Sequence, residues 1–208
     1  MVRQNKIWIF KSYTQMVVSI ILFILFIIGF IYIGTIDFKK DEITDNQRFK
    51  EEHQIVSENN VYTYVNATQV YDYLKGNNAI ILFGIKNSKW VSYYADILNN
   101  VAINLGIDKI YYYDITDDRI EENATYQSIV NYLSNNLTYL DDGTLNIYAP
   151  TLIIKKNNKI IYFDDETALI KGNIKPDDYW DEIQKYITSE NIKLALNEYL
   201  GSENGKEQ

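Results

Sequence analysis

The chain opens with one long apolar block and then changes character. No charged residue occurs from Ser12 to Ile36, and Val17–Ile36 reads VVSIILFILFIIGFIYIGTI. As a helix rising about 1.5 Å per residue, this run crosses about 30 Å, the hydrocarbon thickness of a bilayer. Trp8, Tyr13 and Tyr32 stand near its ends, where aromatic rings favour the interface. A buried core helix of this length would carry a polar stripe. A cleaved signal peptide would have a shorter apolar region and a small-residue cleavage site, but this run ends in Gly34-Thr35-Ile36-Asp37. The pattern predicts an uncleaved transmembrane signal anchor over 12–36. Arg3, Lys6 and Lys11 precede it, and charges of mixed sign follow. The positive-inside rule then predicts residues 1–11 in the cytoplasm and the C-terminal part outside the cell membrane, in a single pass.

Residues 37–60 are polar and keep no period of 2 or 3.6. They predict a stalk with a helical stretch near Asp45–Ile55, in which His53 is solvated. From Val61 the pattern becomes regular. Val61–Val65 alternates as a short strand. Asn66 and Gln69 form a capping box for a helix to Lys75, and Gly76-Asn77-Asn78 is a turn. Ala79–Phe83 (AIILF) is a continuous apolar run, as in a buried strand. Val91, Tyr94, Ile97, Leu98, Val101 and Leu105 follow helical spacing, so a helix is expected from Trp90 to Leu105, ended by Gly106. Lys109–Tyr113 is a strand, 121–139 a helix and Asp141-Asp142-Gly143 a turn. Thr151–Lys155 and Lys159–Phe163 predict a hairpin on Asn157-Asn158. Pro176 suits the first turn of a last helix to Tyr199. Residues 200–208 read as a disordered tail. The order β-α-β-α-β-α-β-β-α over 61–199 predicts one α/β domain of three layers: a mixed central sheet with helices on both faces.

Charge narrows the partners. All 28 acidic residues lie after Ile36, against 17 basic ones, a net of −11 for that part. Its lysines are scattered, and Lys155-Lys156 is only a doublet. Such a surface repels a phosphate backbone, so no nucleic-acid partner is expected. The chain has no cysteine and one histidine. Disulfides, thiolate nucleophiles and thiolate metal sites are excluded. Asp114, Asp117, Asp118, Glu121 and Glu122 lack the glycine and terminal Glu of an EF-hand loop and read as a solvated helix start. No metal and no cofactor are expected.

One stretch carries a resemblance. Phe83-Gly84-Ile85-Lys86-Asn87-Ser88-Lys89-Trp90-Val91 resembles the active-site loop of thioredoxin-like proteins, where a Cys-x-x-Cys motif opens a helix. The helix N-terminus there favours a thiolate. The two cysteine positions fall on Ser88 and Val91. The family's kinking proline falls near Asp96 and its buried acid on Leu82. Pro150, directly before a predicted strand, matches the family's cis-proline. The resemblance covers about 61–190, and its 111–136 stretch is similar to the helical insertion of membrane-anchored accessory thioredoxin-like proteins of Gram-positive bacteria. It implies a thioredoxin-like fold that has lost its redox chemistry. Ser88 has no histidine in the predicted domain to activate it, and it suits a helix cap. The implied peptide groove comprises Ser88, Lys89, Trp90, Val91, Ala149, Pro150 and Thr151, where backbone pairing needs no thiol.

Three functions follow as expectations. The first is a non-catalytic module that binds a protein or peptide in envelope assembly, secretion or conjugation. The second is a structural subunit of a membrane complex, its groove plugged. The third, disfavoured by the missing thiols and histidines, is a thiol-independent enzyme. Trp90 separates the first two: it is exposed over an open groove or buried beneath a plug.

Overall fold

The computed structural model describes residues 13, 15–27, 43–139, 143, 145–165, 168, 170 and 174–201. The expected cytoplasmic segment, both ends of the expected span, residues 37–42, Asp141-Asp142 and the tail from 202 lie outside them. The chain divides into Met1–Glu42 and Ile43–Gln208. In the first unit a helical run at 15–27, α1, exposes large apolar side chains such as Leu22 and Phe23. Among the described residues no helix is long and apolar enough to cross a membrane.

The second unit is a mixed α/β domain. It contains α2 (Asp45–Glu52), β1 (Tyr62–Tyr64), α3 (Ala67–Lys75), β2 (Ala79–Gly84), α4 (Lys89–Asn104) and β3 (Ile110–Asp114). Then come α5 (Thr116–Ile120), α6 (Ala124–Leu133), β4 (Thr151–Lys156), β5 (Lys159–Asp164), α7 (Pro176–Tyr179) and α8 (Glu182–Leu200). The sheet order is β1-β3-β2-β4-β5. β3 pairs in parallel with β1 and β2, and β4 runs antiparallel to β2 and β5. Strand alternation sorts the core into two faces. Ile80, Leu82, Tyr112, Leu152 and Ile154 pack with α2, α4 and α8. Ala79, Ile81, Phe83, Tyr113 and Ile153 pack with α3 and α6.

Local chemistry explains most boundaries. Asn66 and Gln69 close the expected capping box on α3. Asn157 and Asn158 both take positive φ, 50° and 65°, as a two-residue hairpin turn requires. The helix expected over 121–139 is shorter, α6 at Ala124–Leu133, because the Asn123 side chain accepts from the Thr125 and Tyr126 amides and starts it there; the short α5 lies before the expected range. Likewise the last helix breaks at Trp180, where Asp181 caps α8.

The solvated stalk is not what residues 45–60 form. Thr44 and Gln47 make a complete capping box on α2. Phe49, His53 and Val56 are each fully buried. Phe49 stacks on Tyr62 at 3.9 Å between ring centroids. One aromatic residue per two turns is too sparse to register as a period, which is why this helix reads as polar.

Lys155 and Lys156 are more than a doublet. Adjacent strand residues face opposite sides of the sheet. Lys155 is 1% exposed and donates to the carbonyls of Leu74 and Gly76, at the end of α3. Lys156 donates to the Glu198 carbonyl near the end of α8. Each lysine thus satisfies a helix C-terminus, where carbonyls lack partners and positive charge is favoured. Replacing Lys155 with Met would strand buried carbonyls. The expected loss is about 2 kcal/mol in chemical denaturation, with a smaller loss for Lys156→Met.

Candidate functional site

The site begins where β2 ends. Phe83 pairs with Thr151, so Gly84 and Pro150 flank the same end of the ladder. The segments that follow β2 and precede β4 therefore leave the sheet at the same end. The Ala149–Pro150 bond is cis. Pro150 is buried, and the buried Thr151 hydroxyl donates to the Tyr148 carbonyl at 2.6 Å.

After Gly84 the chain turns through Asn87, whose φ of 59° this residue type tolerates. Ser88 caps α4, its Oγ accepting from the Val91 amide at 3.5 Å. Val91 is fully buried in the core. Ser88 is therefore a helix cap and Val91 a packing residue. Lys89 points outward and pairs with Asp177 at 2.7 Å. The Tyr93 hydroxyl donates to the same carboxylate at 2.9 Å. These two donors, Lys89 first, hold the Asp177 carboxyl below its ordinary range.

Trp90 is neither fully exposed nor buried. Its ring lies 5.2 Å from that of Tyr179 and 6.5 Å from that of Trp180. The short helix α7 and the residue after it therefore pack against the first turn of α4. Trp180 is 2% exposed, and its Nε1–H has no hydrogen-bond partner among the described residues. Asp177, Tyr179 and Trp180 were absent from the sequence-derived site. Pro176 marked a helix start there, but nothing in the local pattern shows that it docks on α4.

Beneath the first turns of α4 lies a second feature the sequence hid. His53 Nδ1 is 3.2 Å from Ser92 Oγ, and Nε2 is 2.9 Å from the Tyr112 hydroxyl. Ser92 donates its only proton to the Ser88 carbonyl at 2.9 Å. Ser92 Oγ must then accept from Nδ1–H, which leaves Nε2 to accept from Tyr112. The chain Tyr112→His53→Ser92→Ser88 is complete only for a neutral imidazole. Burial pushes the His53 pKa down to about 4, against weaker opposing pulls from Glu52 and Asp114.

Gly84 belongs to this arrangement. A Cβ there would stand 2.3 Å from Tyr112 Cε2 and 2.6 Å from its hydroxyl. The ring cannot retreat without breaking its bond to His53. Gly84→Ala is expected to cost about 2 kcal/mol, in the range for overpacking, read as a lowered denaturation midpoint.

Asp114, Asp117 and Asp118 line an open cleft of about 470 Å³ with Arg48 and Lys86. Asp114 accepts from Thr116, and Asp118 accepts from the Tyr113 hydroxyl. Among the described residues no group of three or more histidine or acidic side chains is placed to hold a metal ion. No protein-family model matches the chain, and no curated protein matches its sequence.

Proposed function

We propose that the domain is a redox-inactive, thioredoxin-like binding module that holds a protein or peptide. In this reading the N-terminal segment anchors it at the outer face of the cell membrane. The observation that carries the binding reading is the strand order β1-β3-β2-β4-β5 with the Phe83–Thr151 register. In this reading the Ser88–Val91 turn and Ala149–Thr151 line one groove, with no thiol in either. Ser88 serves as a cap, and Val91 is inert. An extended client would bond to backbone beside Pro150. The anchor rests on the uncharged run 12–36 and the basic residues before it.

A covered groove has an observation of its own. Lys89, Trp90 and Tyr93 all contact α7 or the residue after it. Photocrosslinking from position 90 in intact cells separates the two readings, with exposed Ile120 as the control position. A binding module gives a discrete adduct from 90 and none from 120. A plugged subunit gives that adduct only after Asp177→Ala and Tyr179→Ala loosen α7. Insulin-reduction turnover by the purified protein would end the redox-inactive reading, whichever result the crosslinking gives.

A further inference from the structure

Helix α8 is apolar on two opposite faces. At about 100° per residue, Thr188, Ile192, Ala195 and Leu196 form one stripe, and Ile183, Tyr186, Ile187 and Leu194 form another on the far side. The first stripe is buried in the domain. Residues 183, 186, 187 and 194 of the second are 70%, 66%, 46% and 69% exposed. A helix packed on one sheet needs one apolar face. Single exposed apolar side chains need no explanation, but four on one face make a patch, broken by Glu190.

The charges beside the patch indicate what covers it. Glu182, Glu190, Lys193 and Glu198 border or interrupt it, whereas Lys185 lies on the opposite flank, over the Tyr93 ring of α4. With Lys193 its one basic neighbour, the stripe lacks the lysine excess that suits an anionic lipid surface. The pattern is self-complementary. Glu182 and Lys193 lie on one flank, near opposite ends. In an antiparallel pair related by a two-fold axis, that flank meets itself reversed. Ile183 then faces Leu194 of the other copy, and Glu182 faces its Lys193. The present pairs, Lys185–Glu182 at 3.0 Å and Lys193–Glu190 at 3.4 Å, are exposed and cost little to rearrange. Glu190 lies within the stripe and weakens the contact unless Lys193 neutralises it.

We infer that the exposed face of α8 is a homodimer interface, with the two helices antiparallel. The chain has no native cysteine, so introduced thiols report alone. Full-length Glu182→Cys and Lys193→Cys chains, tagged differently and mixed in mild detergent, are oxidised and resolved by size. The expected product is the mixed disulfide. Each chain alone gives little, because two copies of residue 182 would lie about 20 Å apart along the axis at about 1.5 Å per residue. Adding Leu194→Glu to both chains should lower the mixed yield roughly tenfold or more without moving the denaturation midpoint. Adding Glu190→Leu should raise it. Equal yields from all three pairings, or a mixed yield indifferent to Leu194→Glu, overturns the inference and leaves the face to another occupant.

Discussion

A chain that begins at Val61 is expected not to fold, whereas one that begins at Ile43 should unfold in a single cooperative transition. The difference lies in α2 and the loop after it. Removing 43–60 takes Phe49 from between Tyr62 and Tyr112, whose rings lie 3.9 and 4.8 Å away. Truncating a buried Phe alone costs about 3–5 kcal/mol. Val56 goes too, and Tyr112 and Ser92 lose His53 as a partner in a buried site. At the edge of the sheet the Tyr64 amide loses Asp45 Oδ2 at 3.0 Å, and its hydroxyl loses Glu52 at 2.6 Å. These losses together rival the roughly 5–15 kcal/mol that stabilises an ordinary domain. Near-UV circular dichroism and urea titration of the two chains provide the test. If the shorter chain kept a midpoint within about 1 kcal/mol of the longer one, α2 would be an appendage after all.

The same helix shows what the sequence makes legible. The pieces of the central fold announce themselves by local signals. A continuous apolar run marks β2, and the Asn66–Gln69 box opens α3. Asn157-Asn158 turns the hairpin, and Ser88 stands where α4 begins. Each of these needs only neighbours in sequence to do its work. The missed features depend on residues far apart. Phe49 and His53 are core residues only because Tyr62, Ser92 and Tyr112 surround them. A polar helix with one aromatic carries no period to read, although its Thr44–Gln47 box was there to be found. Lys155 and Lys156 looked like surface charge because their partners are carbonyls that end helices 81 and 42 residues away in sequence. Of the candidate site, the Ser88 cap and the strand after Pro150 were legible, and a groove between them is what the resemblance implies. The packing of α7 on Trp90 was not, since it rests on a tertiary contact between α4 and a four-residue helix.

Acidification from pH 6.5 to pH 4 should weaken the domain by about 3 kcal/mol through His53 alone. The native pKa is about 4 against an ordinary value of 6.5. Each unit of difference corresponds to about 1.4 kcal/mol. Within that window the unfolded chain binds a proton that the folded chain refuses, so stability rises with pH. The contribution is complete above pH 6.5 and is lost as pH falls toward 4. The geometry gives the cause. Protonated His53 would have donors on both ring nitrogens, while Tyr112 would have to turn its own proton away from Nε2 inside a fully buried site. Asp96, raised by its partial burial, titrates in the opposite sense and offsets a part of this. His53→Gln isolates the effect, because the amide keeps one donor for Ser92 and one acceptor for Tyr112 without a charge to gain. The variant should start about 1 kcal/mol less stable at pH 7.5, as expected for a poorly aligned hydrogen bond. Its denaturation midpoint should then stay nearly flat down to pH 4.5, whereas that of the unaltered chain falls. Parallel slopes in the two proteins would show that the acid sensitivity arises elsewhere and that His53 does not hold the first turn of α4 through a neutral imidazole.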